Sequence, residues 1–360
     1  MEKKVNPKPR RQRKKSSAAS RADGPAGLEK ALDFHRKGNL KAASRIYRKV
    51  LSTDPCNALV LNLSGVIAHQ TGNDKLALKH LERALEIEPE NDSFHNNIGE
   101  VFRSNGEMDK ALEHFRRCLE INPDDHSAHN NMGNIFLQRK DYAKAAECFS
   151  ESLMLQPNFF KAAYNLGLTY LEMGRLGDAI APLKNAVSLD PSFTDGHAKL
   201  GEVLFLNSRF AEALPHFQHA LDHEQSLSIT STATILNNMA GALKRLHRTD
   251  EGTAYFRNAV SRDPNNPALR ANLASWLEEI NKPEEALREA EQALSVDPGN
   301  VKAGVVLARI DLRADKLEQS RKRLEAVLET SPKDPFIPSV YMDLGRIYER
   351  LGKSKNQPSL

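Results

Sequence analysis

Aromatic residues are scarce in this chain: 6% of 360 positions, with one tryptophan. A core with few rings is built on Ala and Leu, and these residues, with Glu, Lys and Arg, lose least on entering a helix. Cysteine is scarcer still. Cys56, Cys118 and Cys148 form no CxxC pair, and so odd and sparse a set argues against a disulfide framework and suits a reducing compartment. Long apolar runs are missing as well. Stretches such as VVLA at 305–308 fall far short of the roughly 20 residues of a membrane span. No apolar segment follows the basic N-terminus, so no secretory signal is expected and the expected localisation is cytoplasmic. The sequons at Asn62-Leu63-Ser64 and Asn91-Asp92-Ser93 then read as chance matches.

Charge is present but uneven. Residues 1–21 hold nine Lys or Arg against one acid, whereas the remainder carries 42 basic and 46 acidic residues. A mildly acidic body thus follows a short basic tail. Residues 1–23 are nearly free of apolar side chains and are expected to be disordered. A run such as RRQRKK can contact nucleic acid or anionic membrane, or serve as a nuclear address, or be a solvated tail with no partner. No aromatic residue interleaves it, which weakens the case for single-stranded nucleic acid.

The body repeats. Pro55 recurs as Pro89, Pro123, Pro157 and Pro191, a step of 34 residues. A second column holds Ala43, Ala77, Ala111, Ala145, Ala179 and Ala213, and a third holds Ala31, Gly65, Gly99, Gly133, Gly167 and Gly201. After Gly201 the next small residue is Ala240, so five residues are inserted near 226–232; the period then resumes through Ala274 and Ala308. Nine full repeats run from about 24 to 334, and a half repeat follows over 338–352.

Each unit divides into two helices. SFHNNIGEVFRSNG (93–106) spaces Phe94, Ile98, Val101 and Phe102 three and four apart, and Gly106 suits a helix end. MDKALEHFRRCLEINP (108–123) repeats the pattern until Pro123, which cannot continue a helix. Gly99 opposite Ala111 lets the two helices approach, with Phe102 and Phe115 beside them. Pro182 and Pro215 fall inside second helices and should kink them or delay their start. With Gln225 in place of a turn proline, they mark a seam between repeats at 24–225 and 233–334.

This pattern resembles the tetratricopeptide repeat, a 34-residue helix–turn–helix unit, over about residues 24–352. The resemblance implies an all-α fold: an α-solenoid coiled as a right-handed superhelix, first helices lining a concave groove and second helices forming its back. The first repeats, FHRKGNLKAASRIYRKVLSTDP and LSGVIAHQTGN, also resemble bacterial arrays that often precede a methyltransferase, sulfotransferase or glycosyltransferase domain. That likeness keeps open a substrate-recognition arm of a transferase whose catalytic domain is separate or missing. The helix SVYMDLGRIYERLG (339–352) has no partner helix after it, and is read as a makeshift cap, a docking element or a mark of truncation.

HFQHALDHE (216–224) spaces His216, His219 and His223 as a zinc site can, but the helix's apolar ladder lies elsewhere, so exposed surface histidines are expected. His95 and His129 are read as structural. No GxSxG, GxGxxG or phosphate-loop motif occurs, and the chain is expected to be non-enzymatic, without metal or cofactor. What remains is a polar column. The sixth repeat position reads Asn97, Asn131, Asn165, Lys199, Asn238 and Asn272, and the fifth adds Asn62, Asn96, Asn130 and Asn237. An amide both donates and accepts without charge, so a column of them can follow the backbone of an extended peptide. In similar arrays an asparagine ladder does this along the groove. With Glu100 and Asn134, these residues are the candidate peptide-binding groove, and Glu202, Glu278 and Glu279 suggest a surface of mixed sign. Asp195 stands where a carboxylate clamp needs a cation, which disfavours that mode. The expected partner is a protein or peptide segment.

Overall fold

The computed structural model describes residues 25–355. The basic tail at 1–23, expected to be disordered, and the last five residues lie outside them. Among the described residues there are nineteen α-helices, one 3-10 turn at Glu224–Ser226, and no strand. Two compact units divide at residues 162 and 163.

The first unit holds α1 (Pro25–Arg36), α2 (Leu40–Thr53), α3 (Ala58–Gln70), α4 (Asp74–Ile87), α5 (Asp92–Ser104), α6 (Met108–Ile121), α7 (His126–Gln138) and α8 (Tyr142–Leu155). After α9 (Phe160–Glu172), the second holds α10 (Leu176–Leu189), α11 (Thr194–Leu206), α12 (Phe210–Asp222), α13 (Ile229–Arg245) and α14 (Thr249–Arg262). It continues with α15 (Pro267–Glu279), α16 (Pro283–Val296), α17 (Val301–Arg313), α18 (Leu317–Thr330) and α19 (Ile337–Lys355). Within each unit, successive helices pack in pairs, and several first helices also meet the first helix of the next repeat: α3 with α5, α5 with α7, α11 with α13, α15 with α17, and α17 with α19.

The small columns make those pairings possible. Ala43, Ala77, Ala111, Ala145, Ala179 and Ala213 are all fully buried. A Cβ on Gly99 would come within 2.5 Å of the Phe115 ring, and one on Gly133 within 2.7 Å of the Phe149 ring. Each ring therefore fills the space that a side chain at the glycine would need, and burying such a ring contributes about 1.5–3 kcal/mol. An alanine at either site would force the ring or helix to shift.

Local chemistry sets the helix ends. The side chains of Asn57, Asn91, Asp125, Asn266 and Asn300 accept the N–H three residues on, satisfying a donor that the helix itself leaves open. The turn prolines sit one residue past the C-caps Asp54, Glu88 and Asn122, where no helical N–H is needed. Between the two helices of every full repeat one residue takes a left-handed conformation: Gly38, Gly72, Gly106 and Gly174, but also Lys140, Ser208, His247, Asn281 and Asp315. The turn recurs whether or not glycine fills it.

Pro182 and Pro215 do not delay their helices. α10 and α12 begin in the same register as α8, and both run on past the proline. The inserted residues near 226–232 form the 3-10 turn and lengthen α13 to 17 residues, against 13 in α11 and α15.

Candidate functional site

The asparagine column is built between repeats. Asn97 Nδ2 donates to Asn62 Oδ1 at 2.9 Å, and Asn131 Nδ2 donates to Asn96 Oδ1 at 3.1 Å. In the second unit Asn272 Nδ2 donates to Asn237 Oδ1 at 2.9 Å. The rule is the same each time: the sixth-position amide reaches the fifth-position amide of the preceding repeat. Asn62 and Asn130 are buried, while Asn96, Asn97, Asn131, Asn134, Asn165, Asn238 and Asn272 are half-buried. A primary amide has two N–H donors and one acceptor oxygen, so one such bond leaves capacity for a ligand. It also gives these side chains a share in stability, about 0.5–1.5 kcal/mol for a typical hydrogen bond.

The acidic candidates are matched to bases nearby. Glu100 holds Arg103 at 3.0 Å, Glu202 holds Lys199 at 2.8 Å, and Glu279 holds Lys244 at 2.7 Å. Glu278 differs from the expectation of a surface carboxylate: it is only 3% exposed and forms a close ion pair with Arg313. Its helix turns that position inward, and a buried carboxylate needs such a partner.

Two cavities in the second unit take in part of the column. One, of about 270 Å³, brings together Lys199, Glu202, Asn238, Asp195 and Tyr164. The other, of about 210 Å³, holds Asn272 and Lys302. Lys302 donates to Asn272 Oδ1 and lies 4.8 Å from the Phe336 ring centre. Burial, then the charge of Lys244, pushes its pKa down. Neither Lys302 nor Tyr164 stood out in sequence, because Tyr164 interrupts the fifth-position column and Lys302 lies outside both columns, four residues before Val306.

The histidines make contacts that the sequence did not show. His95 Nε2 and His129 Nε2 each lie 3.1 Å from the carbonyl six residues back, Pro89 and Pro123. A carbonyl only accepts, so Nε2 carries the proton and Nδ1 is left as acceptor. His114 Nδ1, 3.1 Å from His95 Nδ1, is then the donor. The pair recurs as His197 and His216 at 3.0 Å, and Arg270 performs both tasks, reaching Pro264 O at 2.8 Å and Glu289 at 2.7 Å. His216 and His219 are half-buried rather than on open surface, since the His219 ring stacks 3.8 Å from His197. Among the described residues no group of three or more His, Cys, Asp or Glu is placed to hold a metal. No described helix is long and apolar enough to cross a membrane.

Helix pairs of one period, packed first helix to first helix, define an α-solenoid repeat protein. Sequence families described as tetratricopeptide repeat match residues 28–92, 93–125, 126–159 and 277–336, and one described as TPR repeat matches 167–208. These segments span well over half of the chain, which belongs to the tetratricopeptide repeat family. Among solved structures, Pseudomonas aeruginosa PilF is 22% identical over 57% of this chain and 92% of its own, with a TM-score of 0.51. A chain of the APC/C hetero-tetramer Cut9–Hcn1 is 19% identical over 81% of this chain and 58% of its own, with a TM-score of 0.52. At these identities the likeness establishes the fold. Comparison with curated proteins gives no significant match.

Proposed function

We propose that the protein is a non-enzymatic interaction scaffold that binds an extended or helical partner segment along its first-helix faces through the asparagine column. Tetratricopeptide repeats indicate protein–protein interaction. The amide ladder carries the finer reading. Its amides are uncharged and mostly half-buried, three rungs share one geometry, and an amide keeps donor or acceptor capacity after a single bond to the next repeat. Such a surface can bond the N–H and C=O groups of a partner with little regard for its side chains. Three unpaired cysteines, two of them shielded from solvent, favour a reducing, cytoplasmic setting.

The test is an affinity pull-down comparing wild type with the triple variant Asn97→Ala, Asn131→Ala and Asn165→Ala. Because Asn97 and Asn131 also bridge repeats, it is run well below both melting temperatures, with far-ultraviolet circular dichroism matched. The variant is expected to lose the partners that wild type retains. Equal recovery of a verified partner would refute the assignment.

A further inference from the structure

The ladder fails on both sides of α11. At the preceding joint the sixth-position residue is Lys199 and the fifth-position residue before it is Tyr164. At the following joint Ala198 stands where Asn238 would find an amide, and Asn238 bonds instead to its own neighbour Asn237 at 3.4 Å. The 270 Å³ cavity opens where the rungs are missing, and the lengthened first turns of α13 supply Thr230, Ser231 and Thr234 as part of its lining.

Its charge is unbalanced. Lys199 is already engaged by Glu202, and Asp195, exposed at the cavity, has no hydrogen bond or ion pair among the described residues. One carboxylate is therefore in surplus. Burial first, and then Asp195 and Glu202, push the Tyr164 phenol up to about 12, so that the ring stays neutral beside them. The volume lies below the roughly 300–1,000 Å³ of pockets for whole small molecules, and suits one side chain. Apolar lining from Phe217, Leu227 and Ile235 can take a hydrocarbon stem whose charged head reaches the carboxylate.

We infer that this cavity receives a basic side chain, arginine or lysine, of the bound partner segment. The stem lies along the apolar lining, the cation meets Asp195 and the face of Tyr164, and the Asn238 amide completes the polar contacts. An acidic side chain would face two carboxylates with the one lysine already paired. The inference rests on the proposed groove reading and adds a specificity that the uncharged ladder cannot provide.

Fluorescent nonapeptides of Ser and Asn with a central Arg, Lys, citrulline or Glu test it against the full-length protein by anisotropy. Citrulline keeps the shape of arginine without its charge. Wild type is expected to bind the Arg and Lys peptides at least tenfold more tightly than the citrulline and Glu peptides. Asp195→Asn should erase that preference, and Asp195→Lys should reverse it toward Glu. Peptides bound equally whatever their central residue would overturn the inference while leaving the groove reading intact, and absence of any binding would overturn it as well. Replacing the nine basic residues of positions 1–21 by Ser is a further arm. A tenfold gain in affinity for the Arg peptide there would name the chain's own tail as occupant and overturn the partner assignment.

Discussion

Burial and the neighbouring imidazoles of His219, His216 and His223 press the charge off His197, while the Pro191 carbonyl pulls the other way. Its pKa falls to about 4. His216, with Lys184 near it and Glu212 opposing, is lowered mainly by burial, and so is His114. The folded state then binds fewer protons than the unfolded chain, in which a histidine titrates near about 6.5. Stability from these groups is complete above that value and is lost as pH falls toward 4. Protonating His197 also puts a hydrogen on its Nδ1, which then faces the His216 donor instead of accepting from it. We expect the melting temperature to fall as pH drops from 7 to 4.5. A His197→Gln variant should show a shallower fall, measured by circular dichroism at each pH. Parallel slopes in the two proteins would remove His197 from the cause.

The helix pair is the element that the sequence spells most clearly. Three columns at one spacing located first and second helices, their glycine and alanine contacts, and the turn prolines, because those positions depend on one repeat alone. Pairing between repeats was less legible. Asn97 and Asn62 stand 35 residues apart, one more than the period, so aligned columns show two parallel rows of amides but not that one row bonds the other. The cavity was hidden for a related reason: it depends on α13 absorbing inserted residues as helix, which Pro-free polar sequence does not announce. The interior prolines are the clearest departure at this scale. Pro215 is exposed, sits in the middle of α12, and leaves the Ala211 carbonyl without its N–H donor. Pro215→Ala restores that bond while trimming the lining of a cavity that Pro215 shares with Met239, Leu243 and Tyr255. It is expected to stabilise the fold by about 1–3 kcal/mol, given the roughly 3 kcal/mol cost of proline in helix interiors. Chemical denaturation reads the gain, and an unchanged midpoint would mean that the helix bends to favour proline.

At the scale of the chain, a solenoid's stability is a sum of repeats and the joints between neighbours. The core clusters follow this rule by running through successive helices: one gathers Val301, Leu324, Val340 and Ile347, another Ala31, Tyr47 and Ile67, and a third runs from Ala233 of α13 to Val306 of α17. A lesion at one joint should therefore stay near it. Asn97→Ala is a clean lesion, since it removes the donor to the Asn62 carbonyl, which is buried at 5% exposure. Leaving a buried acceptor unpaired costs about 1–3 kcal/mol. Hydrogen exchange followed by mass spectrometry is expected to show faster opening of α3, α4 and α5, by about tenfold for each 1.4 kcal/mol lost. Amides of α17 and α18, many repeats away, should keep wild-type protection. If protection fell equally at both ends, the protein would open as one cooperative body, and the ladder would set the stability of the whole chain rather than of a joint.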